Sequence, residues 1–162
     1  MSKDIGFSNY GKRFQESLAQ MILDDRPFAD QIEEVLDTNF FELKYLRVFV
    51  SKIYDYRKKY GVHPTKQILA SILRTELEIH NDALQKQVRD YFARTLIKSV
   101  DDEKYIKDTS LDFCKKQKLK EALMQSVDLI QNSSFEEVRK VIDDALKPGN
   151  DNDFGHDFLK DF

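Results

Sequence analysis

Apolar residues recur along this chain three and four positions apart, and no sustained alternation of apolar and polar residues competes with that spacing. Phe14, Leu18, Met21 and Ile22 fall at i, i+4, i+7 and i+8, the stripe of a helix lying on a core. Asp24-Asp25-Arg26-Pro27 ends that helix and starts another, because a proline in the first turn lacks only an N–H that would be unpaired there. Ala29, Ile32, Val35 and Leu36 carry the second helix to about Asp37. Asn39 is the expected cap of a third, which holds Leu43, Leu46, Val50, Ile53, Tyr54 and Arg57 and runs to Tyr60. Gly61 stands where a left-handed residue would close it, and Pro64 blocks continuation. Ile68, Leu69, Ile72 and Leu73 predict a fourth helix. Asn81 caps a fifth with the stripe Leu84, Val88, Tyr91, Phe92 and Leu96.

The next segment is of another kind. From Asp102 to about Asn132 there is no glycine or proline, a stretch far longer than an average helix of ~11–12 residues. Ile106, Phe113, Leu119, Leu123, Val127 and Ile130 mark one broad face of it. Asn132-Ser133-Ser134 reads as a corner, and Ser134 with Glu137 has the spacing of a capping box. Phe135, Val138, Val141, Ile142, Ala145 and Leu146 form a shorter return helix. The expected fold is all-α: a head of about five helices over 1–100, a long-helix/short-helix hairpin over 101–147, and a linker over 148–162. A lone hairpin cannot hide both its stripes, so a second copy is the expected cover. After Pro148-Gly149, the run from Phe154 to Phe162 begins a new apolar pattern, which predicts entry into a partner or a further domain.

Composition narrows the class. With 162 residues and 41% apolar content, the chain can bury one good core or two small ones. A net charge of -3 gives no general electrostatic reason for nucleic acid to be the main partner. Cys114 is the only cysteine, which rules out an intramolecular disulfide and fits a reducing compartment. No apolar run is long enough to span a membrane, and the first residues lack the apolar stretch of a signal peptide.

Chemistry is sparse. Gly6 and Gly11 have the separation of a phosphate-binding loop, but Lys12-Arg13 follow where lysine and a hydroxyl are needed, and no strand precedes. His63, His80 and His156 are far apart and far from Cys114, so no metal site is expected. Asp101-Asp102-Glu103 suits a helix N-terminus. Asp151, Asp153 and Asp157 lack the glycine and distal glutamate of a calcium loop. Lys115, Lys116, Lys118 and Lys120 are the one basic run and the candidate nucleic-acid contact, although they are spread around the helix axis. No acid, base and nucleophile combine into a catalytic residue set, so this segment is expected not to be an enzyme and to need no cofactor.

The order of parts resembles the N-terminal domain of DnaB-type replicative helicases, most of all those of phages. The resemblance rests on Phe14–Asp25, on Tyr54–Pro64 with Tyr60-Gly61-Val62-His63-Pro64-Thr65, on Tyr105–Leu123, and on Gly155-His156-Asp157-Phe158 with Asp161-Phe162. The last of these is similar to the linker that precedes the motor domain in that family. The resemblance implies a scaffold that pairs through its hairpins, assembles as a trimer of dimers and recruits primase or a helicase loader. It implies Ile106, Phe113, Leu123, Val127, Phe135, Val138 and Ile142 as the pairing residues. Phe158, Leu159 and Phe162 would dock the linker. ATP and Mg belong to a motor domain absent from this sequence, which would also make most of the DNA contacts, in the cytoplasm of a bacterial or phage-infected cell. The competing expectation is a free-standing helical DNA-binding or adaptor protein of a phage.

Overall fold

The computed structural model describes residues 6–131 and 135–147, and over these the protein is all-α. A 3-10 turn, Phe7–Tyr10, leads into α1 (Gly11–Asp24), followed by α2 (Arg26–Ile32), a second 3-10 turn (Thr38–Phe40), α3 (Lys44–Tyr60), α4 (Lys66–Thr75), α5 (Asp82–Thr95), α6 (Glu103–Gln131) and α7 (Phe135–Leu146). The expected head and hairpin are both present.

Most of the predicted punctuation is where the residues place it. The Asp25 carboxylate accepts from the Phe28 amide at 3.0 Å, with Pro27 in the first turn of α2. Gly61 has φ 73° and returns its amide to the Arg57 carbonyl at 2.8 Å, closing α3. Nothing stands within 4 Å of where a Cβ on Gly61 would lie, so only backbone strain opposes a side chain there. Gly61→Ala should therefore lower stability by about 1 kcal/mol without altering the fold, measurable by urea unfolding. Thr65 caps α4 and Asn81 caps α5, each through its side-chain oxygen.

Two boundaries differ from expectation. The second helix ends at Ile32 instead of about Asp37, and Asn39 caps nothing. Asp37 instead accepts from the Asn39 amide at 2.9 Å and starts the 3-10 turn, and α3 begins only at Lys44. Phe40 and Phe41 are adjacent and both buried. An extended Phe41, at φ -71° and ψ 126°, lets both rings turn inward. Leu96 lies just past the end of α5 and is exposed.

A single core runs through the head and into α6. Leu18, Ile22, Phe28, Ile32, Leu46, Phe49, Ile53, Leu69, Leu73, Val88 and Tyr91 form its centre, and Ile106, Leu111 and Cys114 of α6 belong to the same cluster. The division near residue 100 thus separates two helices without separating two cores. Lys107 of α6 also pairs with Asp25 at 2.5 Å, tying the long helix to the cap of α2. Cys114 is the last α6 residue in the core of the head, Lys118 and Glu121 still line a cleft against it, and α7 folds back along α6.

Candidate functional site

The long helix α6 carries two different contact faces. Its first half buries Ile106, Ser110, Leu111 and Cys114 in the head. Its second half buries Ala122 and Ser126, small residues that let α7 approach closely, while Val138 of α7 is buried from the other side. The Ser126 hydroxyl satisfies itself by donating to the Ala122 carbonyl at 2.8 Å.

Five large apolar residues of the hairpin are exposed, while Leu119, Leu129, Val141, Ile142 and Leu146 are half-buried. Leu123 is 51% exposed, Met124 66%, Val127 53%, Ile130 60% and Phe135 81%. Large apolar side chains scattered singly on a surface are ordinary, but five within one helical hairpin form a patch of the kind that marks an interaction site.

The seven expected pairing residues divide accordingly. Leu123, Val127 and Phe135 are on the open patch. Ile106 is buried in the head core. Phe113 stacks among Phe7, Tyr10 and Phe40, with ring centroids at 5.0, 5.9 and 5.4 Å. Both are therefore corrected from partner-facing to intramolecular. The head lies against the first three turns of α6, so the broad stripe seen in the sequence serves two different neighbours. Val138 is buried at the α6–α7 seam and Ile142 is half-buried. Met124 and Ile130 join the surface in their place. Phe158, Leu159 and Phe162, and the Ser134 half of the capping box, lie outside the described residues.

The basic run does not gather. Lys116 pairs with Asp112 at 2.9 Å one turn back, and Lys115 is half-buried. Lys118 enters a cleft of about 560 Å³ with Glu33, Glu34, Asp37, Asp55, Lys58 and Glu121, whose carboxylates repel phosphate. Lys116 and Lys120 are both exposed, and Lys120 is the nearer to the apolar patch along α6.

On the head, Glu16 joins three helices. Arg94 of α5 donates twice to its carboxylate, at 2.9 and 3.0 Å, Tyr45 of α3 donates to the same group, and Tyr91 donates to the Glu16 carbonyl. Burial pushes the Glu16 carboxyl up, but these bonds and the charges of Arg94 and Lys12 outweigh it and hold it below the usual range. Burial and the neighbouring Glu16 push the Tyr45 hydroxyl up to about 12. A cleft of about 730 Å³ opens beside this network, lined by Tyr10, Phe14, Arg94, Ile97 and Tyr105 among others.

A second polar group, partly exposed, sits at the α2–α3 contact. Arg57 donates to Asp30 and to Glu33 and lies 2.7 Å from His63 Nδ1. His63 Nε2 is 2.7 Å from the Leu23 carbonyl, so Nε2 carries the proton and Nδ1 accepts from Arg57. These are structural ties, with no nucleophile beside them. Among the described residues no group of three or more His, Cys, Asp or Glu side chains is placed to hold a metal ion, and no helix is long and apolar enough to cross a membrane.

The carboxylates give a pH dependence of defined sign. Asp25 is raised by burial and lowered more by Lys107 and the Phe28 amide, and Asp30 is lowered chiefly by Arg57. With Glu16, all three titrate lower folded than unfolded, so each contributes stability above its unfolded pKa and loses it as pH falls through the folded value. Unfolding free energy should thus be flat near neutrality and fall as the solution is acidified through the carboxylate range. Glu16→Gln should be less stable at neutral pH and show a shallower acid limb in urea titrations.

No protein-family model, no curated protein and no solved structure matches the chain.

Proposed function

We propose that this chain is a non-catalytic assembly module, the collar-type N-terminal domain of a replicative DNA helicase of the phage kind. The observation that carries the reading is the outward apolar patch Leu123, Met124, Val127, Ile130 and Phe135 on a hairpin that projects from a helical head. Such a patch contributes nothing to the fold of the protomer and marks a surface that another molecule covers. The resemblance in the head and the Gly155-His156-Asp157-Phe158 run assigns that surface to copies of the same domain, stacked as a collar beside an ATP-driven motor. Primase or a loader then docks on the assembled collar. Nucleic acid is bound elsewhere in the complex, in keeping with the acidic surroundings of Lys118 and the ion pair of Lys116.

Native mass spectrometry of the chain tests this. A trimer of dimers yields even-numbered species, a dimer and then a hexamer, built from the 19.1 kDa protomer. Odd-numbered assemblies, or a monomer alone at high protein concentration, would contradict it.

A further inference from the structure

The ring-lined cleft on the head has no part in the collar reading. It measures about 730 Å³ and lies between α1, the end of α5 and the start of α6. Tyr10 stacks on Phe14 at 4.7 Å, and Tyr105 meets Phe14 edge-on at 6.3 Å, so three rings run along the cleft. Ile97 and Val100, from the connection between α5 and α6, line it as well. Tyr105 and Ile97 are exposed, which leaves apolar surface on the head that its own core does not cover.

One segment of the chain has the composition to cover it. Phe154, Phe158 and Phe162 recur every four residues with Leu159 beside them, the spacing of a single apolar side. The same stretch carries Asp151, Asp153, Asp157 and Asp161 against Lys160, so charge selects among the surfaces it can meet. The cleft between the head and the hairpin sets Glu33, Glu34, Asp37, Asp55 and Glu121 against Lys58 and Lys118, and repels an acidic segment. The ring-lined cleft is balanced, with Arg13, Arg94 and Lys98 offsetting Glu16, Asp101 and Asp102. Arg94 and Tyr45 already hold Glu16, while Arg13 and Lys98 are exposed and open to a further carboxylate.

The distance also fits. From Tyr105 to Gln131, α6 rises about 39 Å, and the 12 residues of α7 return about 18 Å of it. About 20 Å then separates the end of α7 from Tyr105 along the helix axis, and residues 148–153 span about that length when extended.

We propose that residues 154–162 dock in the ring-lined cleft of their own head, with their apolar side against Tyr105 and Ile97 and their carboxylates toward Arg13 and Lys98. While seated there, Phe158, Leu159 and Phe162 are withheld from other surfaces, which makes the cleft a latch on this segment. The docking needs one chain only, so it stands or falls apart from the collar reading.

Disulfide trapping in the full chain tests it. Cys114 is fully buried, so the unaltered chain sets the background under copper–phenanthroline oxidation. Ile97→Cys with Phe158→Cys should close a bond within one chain, roughly tenfold faster than Thr38→Cys with Phe158→Cys, which samples the acidic cleft. Equal rates for the two pairs would overturn the proposal, and so would a bond that forms only between chains. Amide NMR spectra give a second readout that needs no new bond. Phe158→Asp should shift the resonances of Ile97, Ser99 and Tyr105 and leave those of Thr38 and Val127 in place. Shifts confined to the sequence neighbours of residue 158, or centred on Val127 in the hairpin patch, would overturn it. A chain that is monomeric at every concentration yet shows both the bond and the shifts would overturn the collar reading and uphold this docking.

Discussion

Phe7→Ala should destabilise the protein by about 3–5 kcal/mol, the range for removing a large aromatic ring from a closed core. Phe7 is completely buried at the point where the first 3-10 turn, the second 3-10 turn and α6 converge. Its ring lies 5.8 Å from Phe40, 5.3 Å from Phe41 and 5.0 Å from Phe113 in tilted or edge-on contacts. Such aromatic pairs add about 0.5–1.5 kcal/mol beyond the area they bury. No neighbour is positioned to refill the space, because Phe40 and Phe41 are held by the extended turn between them. Equilibrium urea unfolding measures the loss. An effect under about 1 kcal/mol would mean that the cluster is loosely packed. Phe113→Ala should follow the same trend and leave self-association unchanged, since its ring belongs to the head.

Val127→Asp should have the opposite profile: little change in the stability of the protomer and a large loss of pairing. The side chain is 53% exposed and at the centre of the patch, so a carboxylate there is hydrated in the free protomer. On pairing across the patch, each such carboxylate is stripped of water. A hot-spot cost of about 2–4 kcal/mol corresponds to roughly 30- to 1,000-fold weaker association. Arg or Glu at Lys116 should do far less, because that side chain lies toward the head and is paired with Asp112.

The helix count and most caps were legible because they rest on local chemistry. Asp25, Gly61 and Asn81 act on amides and carbonyls within four residues, so the sequence contains both partners of each interaction. Asn39 misled because the burial of Phe40 and Phe41, a tertiary demand, outweighed a good local cap. The hairpin itself was legible from the length of the uninterrupted segment. Its faces were not: apolar residues occur all round α6, and periodicity alone does not say whether the head, α7 or solvent receives a given one. Ile106 and Phe113 were therefore grouped with Leu123 and Val127, although the first two meet the head and the last two stand about half exposed to solvent on the hairpin. Ala122 and Ser126 were the available signal, since small residues one turn apart mark where another helix comes close. Gln20 illustrates a part that no sequence pattern carries. Its amide donates to the Lys98 carbonyl at 2.5 Å across 78 residues and secures the connection between α5 and α6.

Light scattering of the unaltered chain and of Val127→Asp, each followed from low to high protein concentration, tests the central claim most directly. The account predicts that the mass of the unaltered chain rises from 19.1 kDa to at least twice that value, while Val127→Asp, equally well folded by circular dichroism, stays at the protomer mass over the same range. A mass that never rises, or one that rises identically in both proteins, would contradict it.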